Sequence, residues 1–350
     1  MAQTRIFYAT HAVQIDGALA TDVIHGVQSV GIDTTFNLEQ AFELGQLSLY
    51  ENIEGTPDIS MTLQKLLDGY PLLWHSSTQF DTAGVALGTD AAGNAFTARA
   101  DTKIKEAKLH INSTNEDEFD GAGTSVRTLT MSGMFISSCS YTIPADGNCT
   151  EDVTLVGNDK TWSAVDTIAE ITVGPDDEPE YTAGGASRHI IRGEDVVGAD
   201  CFIPDNIPGV TTGGAGTNSG PLVTADCHMQ NFTCSVDLGR EEINQLGVRT
   251  PYNRYVTFPV EVTSSFEIIS LEGDLVDADS TTRSSLENHS IKLQVGAIAN
   301  KGMVIDLGAK NKLQSVSYGG GDTGGGNVSN TFNYSNFNDW EIRDFYVTGA

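Results

Sequence analysis

The residues best equipped for metal or nucleophilic chemistry are seven histidines and five cysteines. Their spacing offers little of either. His11, His25, His75, His110, His189, His228 and His289 form no HxH or HExxH pattern. Cys227 and His228 are adjacent, but no second pair lies at ligand spacing, so they read as a structural pair and no metal is expected. Cys139, Cys149, Cys201, Cys227 and Cys234 are an odd set without CxxC spacing. Buried free thiols are expected, with one disulfide (Cys139 with Cys149, or Cys227 with Cys234) as the alternative. No GxSxG elbow is present. The run Gly319 to Gly326 has the composition of a phosphate cradle, but no GK[ST] follows it, so it reads as a loop. Glu116, Asp117, Glu118 and Asp120, and again Asp176, Asp177, Glu178 and Glu180, gather the hard oxygens that calcium prefers. Neither cluster has EF-hand spacing, and both read as solvated acidic loops. The aromatics do not gather as a sugar cleft would require. No catalytic residue and no cofactor are expected, and the chain reads as a non-enzyme.

Charge and composition narrow the class further. The chain has 350 residues, with 47 acids against 19 bases, for a formal charge of −28. A nucleic-acid binder needs a basic patch to neutralise phosphates, and an anionic membrane surface needs one too. The acidity fits solubility or salt adaptation, or a wall past which DNA must slide without sticking. No apolar run approaches the ~18 residues of a membrane span, and the first residues lack a signal-peptide core, so folding in a cytoplasm is expected. Thirty-seven glycines and 10 prolines suit many short strands and turns.

The elements that would position any site repeat themselves. Shifting Gly26–Leu67 by 202 residues places Glu39 on Glu241, Leu44 on Leu246, Gly45 on Gly247, Tyr50 on Tyr252 and Pro57 on Pro259. The hydrophobic phase follows the same shift. Ile24, Val30, Ile32 and Phe36 share one strand face, and Asp226, Phe232, Cys234 and Leu238 stand at the shifted positions. After the proline, Ile59, Met61, Leu63 and Leu67 correspond to Val260, Val262, Phe266 and Ile268 at an offset of 201. A one-residue deletion, a bulge or a chance proline match accounts for the slip. A weaker echo relates Ser138–Trp162 to Ser315–Trp340, each two strands with a turn between.

The fold class is mainly β (α+β), with two tandem β-barrel or sandwich domains and few short helices. Residues 1–165 form the first domain, 166–221 a linker or insertion rich in Gly, Pro and acids, and 222–350 the second. Short helices are expected near Asp68–His75, with Pro71 in the first turn, and near Gly239–Leu246.

Several stretches resemble the major tail tube proteins of tailed bacteriophages. They are Val27–Ile32, Glu43–Leu47, Glu54–Ile59, Leu63–Leu73, Met131–Met134, Tyr141–Thr150 and Val156–Lys160. The likeness covers residues 5–165 and, more weakly, 222–342. It implies a duplicated tube-domain protein with the tail-tube-like fold. Each domain would lend strands to a β-barrel shared around a ring of six domains, so three chains would make one pseudo-hexameric ring. Stacked rings would conduct DNA during ejection, in a virion tail assembled in the host cytoplasm. The long loop at residues 38–56 and its copy at 240–258 would reach the neighbouring ring through Glu39, Leu44, Gly45, Tyr50, Glu241, Leu246, Gly247 and Tyr252. The polar strand face would line the lumen: Ser29, Asp33, Thr35, Ser60, Thr62 and Gln64, then Asn231, Thr233, Ser235, Asp237, Glu261 and Glu267. The partners implied are further copies of the chain, other tail proteins such as sheath, baseplate or terminator, and passing DNA without specific binding. No membrane is implied. A baseplate hub or tube initiator of related fold is the alternative, as is an acidic β-rich calcium-dependent adhesin.

Overall fold

The computed structural model describes residues 6, 8–15, 24, 26–67, 85–86, 105–111, 124–125, 127–164, 166–167, 190–211, 218–222, 226–271, 273–276, 287–298, 301–320 and 326–344. The protein is mainly β, with helix limited among these residues to three single 3-10 turns at Tyr8–Thr10, Gly193–Asp195 and Gly198–Asp200. The helix expected near residue 68 lies outside the described residues. The one expected near Gly239 is a strand instead. There Glu241–Ile243 pairs with Asn253–Tyr255, and tertiary pairing overrides the local helical composition.

Twelve strands form a shared ladder and two hairpins. In the N-terminal unit they are β1 (Val27–Thr35), β2 (Leu38–Phe42), β3 (Leu49–Glu54), β4 (Asp58–Leu66), β5 (Arg127–Pro144) and β6 (Thr150–Gly157). In the C-terminal unit they are β7 (Met229–Asp237), β8 (Glu241–Ile243), β9 (Asn253–Tyr255), β10 (Glu261–Ile269), β11 (Lys312–Gly319) and β12 (Ser329–Phe337). Eight of them form one continuous antiparallel ladder in the order β1-β4-β6-β5-β7-β10-β12-β11. The pairs β2–β3 and β8–β9 are separate two-stranded hairpins projecting from it.

Period-two alternation decides which face of the ladder is buried. In β4, Ile59, Met61 and Leu63 are buried, while Ser60, Thr62 and Gln64 point the other way. Phe232, Cys234 and Val236 of β7, Val262 and Phe266 of β10, and Phe332 and Tyr334 of β12 continue the same buried face. A second layer covers it. Over the N-terminal unit this layer is His11–Ile15, Lys105–Ile111 and the first half of β5. Over the C-terminal unit it is a six-stranded sheet built from Ser219–Pro221, Phe202–Pro204, Lys292–Ile298, Lys301–Asp306, Glu341–Asp344 and Val85–Ala86. Part of the segment between the two halves therefore contributes strands to this layer. The long strand β5 serves both layers. Residues 127–134 pair with Lys105–Ile111, while residues 135–144 pair with β6 and β7. Gly133, near the end of the first stretch, has φ +68, a left-handed conformation that a side chain would resist.

Both units use the same pairing, down to the irregularities. Four strands run β1-β4-β6-β5 in one and β7-β10-β12-β11 in the other. A bulge interrupts β1–β4 between Val27 and Ser29, and another interrupts β7–β10 between Met229 and Asn231. The extra residues are Gln28 and Gln230, and each side-chain amide donates to the carbonyl two residues before it, at 3.3 Å. A second bulge falls at Ser137 in β5 and at Gln314 in β11.

Pairing corrects the expected register of the second strand. Ile32 pairs with Met61, and Cys234 pairs with Ser264, so β4 maps onto β10 at an offset of 203 rather than 201. Alternation alone cannot separate the two values, because they differ by one full strand period. The hairpins keep the 202 shift, since Glu39 faces Ile53 and Glu241 faces Tyr255. One extra residue therefore lies between Tyr255 and Glu261. The tryptophans of the weaker echo also part company: Trp162 is exposed, whereas Trp340 is fully buried with its ring 6.0 Å from that of Tyr141.

Candidate assembly surfaces

Three surfaces stand out: the polar face of the ladder, its two edge strands, and the paired hairpins. None holds a catalytic constellation. Cys227 is buried while His228 is exposed, so the adjacent pair does not present a common site. His110 lies between Gln14 and Thr128, and His289 contacts the carbonyl of Asn218 at 2.6 Å, both as structural hydrogen bonds. No cluster of three metal-ligating side chains occurs among the described residues. The acidic clusters near residues 116 and 176 lie outside them. All five thiols are buried and unlinked.

The polar face brings together every residue expected to face a lumen. Ser29 lies opposite Gln64, Asp33 opposite Ser60 and Thr35 beside Asp58 across β1–β4, with Gly31 opposite Thr62. Asn231 lies opposite Glu267 and Ser235 opposite Thr263 across β7–β10, where the two hydroxyls are 2.8 Å apart. Thr233 faces Ser265, and Glu261 faces Phe337. Asp237 ends β7 and accepts a hydrogen bond from the Gly239 N–H at 2.9 Å. The face continues through positions that the sequence alone does not single out, among them Asp152, Thr154, Ser138 and Ser140 at the centre. Burial by these neighbours pushes the Asp152 carboxyl up, and a hydrogen bond from Gln64 partly opposes the shift. Among the described strand positions of this face Lys312, at its rim, is the only basic one, against Asp33, Asp58, Asp152, Asp237, Glu261 and Glu267.

The two hairpins are near copies. Gly45 and Gly247 hold the turns with φ +95 and +82, and nothing stands within 4 Å of where a Cβ would be. Leu44 and Leu246 are fully exposed beside them. Tyr50 and Tyr252 are each 64% exposed, and Glu39 and Glu241 open the hairpins on solvent-facing positions. All eight residues expected to make contacts between rings therefore lie on projecting hairpins. Exposed leucines and tyrosines in that concentration are unusual for a surface without a partner.

Between the units lies a seam the sequence does not announce. Strand β7 pairs with β5 over seven positions, from Asn231 opposite Pro144 to Asp237 opposite Ser138. Beyond the strands, Leu238 N–H donates to the Ser137 carbonyl at 2.8 Å. Three arginines of the second hairpin then clasp the first unit. Arg240 donates to the Ile136 carbonyl at 2.6 Å, with its guanidinium 5.4 Å from the centre of the Phe135 ring. Arg249 donates to the Gly55 carbonyl at 2.8 Å. Arg254 donates to Asn158 at 3.0 Å and pairs with Glu242. The available sequence signals are the Gln28/Gln230 identity, which marks the bulges, and the arginines at 240, 249 and 254, a concentration of charge in a base-poor chain.

No family model matches the sequence, and no curated protein matches it. Similar solved structures do exist. One is described as the tube-terminating cap of the anti-feeding prophage, at 12% identity and a TM-score of 0.32, covering 47% of this chain and 94% of its own. Another is from the sheath–tube complex of an extracellular contractile injection system, PVC, in the extended state, at 15% identity and a TM-score of 0.33, with the same coverage. A third is from the sheath/tube terminator of that system, at 14% identity and a TM-score of 0.32, covering 47% of this chain and all of its own. These are likenesses over about half the chain.

Proposed function

We propose that this chain is a structural, non-enzymatic subunit of a phage-type tail tube, with its two units acting as duplicated tube domains. Three chains form a pseudo-hexameric ring, and stacked rings conduct DNA. The observation that carries the reading is the eight-stranded ladder. It contains one complete seam between units, β5 against β7, and leaves the matching strands, β1 and β11, with no strand paired to their outer edges among the described residues. An unpaired edge is a site for pairing with another chain. An interface that joins the far edge of one unit to the near edge of the next is head-to-tail, and repeating it gives a ring when the rotation closes. Closure into a barrel removes both open edges.

In that ring the polar face lines the lumen, with few cations to hold a phosphate backbone. The hairpin tips, carrying Leu44, Tyr50, Leu246 and Tyr252, contact the next ring. Sheath, baseplate or terminator proteins are the expected outer partners, and the assembled tail is the expected location.

Negative-stain microscopy of the purified chain at high concentration tests the reading. Rings or striated tubes with a central hole, and a ring mass of three chains, are the expected result. Compact monomers at every concentration, with melting that depends on calcium, would favour the adhesin instead. Copy number separates a tube from a hub or initiator of the same fold: many rings per particle for the former, one ring for the latter.

A further inference from the structure

The internal seam is a template for the seam that is missing, and the template can be transferred residue by residue. Strand β7 corresponds to β1 by a shift of 202 and β10 to β4 by 203, and the ladder pairings then fix β12 against β6 and β11 against β5, the last by a shift of 177. The bulges at Ser137 and Gln314 are related by that same last shift. Applied to β5–β7, these shifts give the register of β11 against β1 of a second copy.

We infer that β11 of one chain pairs antiparallel with β1 of the next, with Gly319 opposite Gly31, Ser317 opposite Asp33 and Ser315 opposite Thr35, and that this seam is clasped by apolar side chains where the internal one is clasped by arginines. This rests on the ring reading and adds its register and its chemistry. Three observations support it. First, burial along β1 is incomplete in the pattern a missing neighbour produces. Phe232, Cys234 and Val236 are fully buried, whereas their equivalents Val30, Ile32 and Thr34 are half-buried. Leu238 is 0% exposed, and its equivalent Phe36 is 71% exposed. Second, an open groove of about 670 Å³ runs beside β1, with Val13, Ile24, Val30 and Leu109 among its walls, along with the polar Gln28 and Ser29. Third, the clasping positions have changed chemistry together. Arg240, Arg249 and Arg254 correspond to Leu38, Leu47 and Asn52. Leu38 and Leu47 are exposed. Arg249 reaches Glu54 and Gly55 at the base of the first hairpin, so Leu47 would reach the base of the second, where Thr257 stands and Phe258 is part-exposed.

The two seams therefore differ in kind. An arginine clasp wants carbonyls and a ring face, and a leucine clasp wants an apolar surface. A second copy docked with its first unit where a second unit belongs would set leucines against the arginine site. The chemistry enforces alternation of first and second units around the ring.

Cysteine pairing reads the register. In the variant carrying Asp33→Cys and Ser317→Cys the two new thiols lie on opposite edges of one chain, so a disulfide between them must join two chains. Oxidation of its assembled rings is expected to give a denaturing-gel ladder that stops at the closed ring, three chains. Rings that form but crosslink only with Asp33→Cys and Ser315→Cys would overturn the register while leaving the ring reading intact. The absence of both rings and crosslinks would overturn the ring reading and this inference with it. Leu47→Asp is expected to abolish rings while leaving the melting temperature of the monomer unchanged. Rings that persist in Leu47→Asp and in Phe36→Asp would overturn the apolar clasp.

Discussion

Lys65, Glu151 and Tyr141 are fully buried on the inner face, with Lys65 and Glu151 opposite each other across β4–β6. Tyr141 donates to the Glu151 carboxyl at 2.6 Å. Tyr141→Phe removes that donor from a buried acceptor, and a loss of about 1–3 kcal/mol is expected in urea unfolding. The thiols respond to the same dry environment. Burial pushes Cys149 up to about 12, and Cys201 and Cys227 up to about 11. A thiol held protonated in the folded state keeps its proton while the unfolded chain, with an ordinary value near 9.0, gives it up. The unfolded state then binds fewer protons, so stability is complete below about pH 9 and falls as pH rises towards 12. Thermal melts from pH 7 to pH 11 should show a falling midpoint, and a thiol reagent at pH 8 should label no cysteine until the chain unfolds.

At the scale of the element, the hairpins and the inner core behave differently under substitution. Gly45→Ala and Gly247→Ala each force a side chain into a left-handed turn with open space around it, so the cost is conformational, about 1–2 kcal/mol locally. Because both turns project from the ladder, this loss should appear as faster proteolysis at the hairpins, with the global melting temperature unchanged. Trp340→Ala, by contrast, empties a site beneath the ladder, and about 3–5 kcal/mol of global stability should be lost in urea unfolding. Arg249→Ala should loosen the second hairpin alone, seen as increased amide exchange around Val248–Tyr252.

The ladder presents one polar wall some eight strands wide, and the wall has a sign. Asp33→Lys with Glu267→Lys would place cations at two of its positions without touching Asp237, whose carboxylate holds the turn at Gly239. If the wall lines a DNA-conducting tube as proposed, assembled particles carrying both changes should eject DNA more slowly, with greater slowing at low salt, because phosphate contacts are screened by ions. Ejection at the unaltered rate from intact particles would count against the lumenal assignment.

The amino-acid sequence alone determined the alternation that buries Ile59, Met61 and Leu63, the polarity of the opposite face, and the shared grammar of the two hairpins. Those are local properties, set by period-two patterning and by glycines at the turns. It left open what depends on pairing at a distance. An offset of 201 or 203 gives the same alternation, and only the ladder between β7 and β10 separates them. Gly239–Leu246 carries a helical composition, yet it forms a strand because Asn253–Tyr255 lies alongside. Phe36 and Leu238 belong to one pattern, and one is exposed while the other is buried because, among the described residues, only the second has a neighbouring strand across its seam. Burial at an edge is a property of what stands next to it, and that is decided by the tertiary structure.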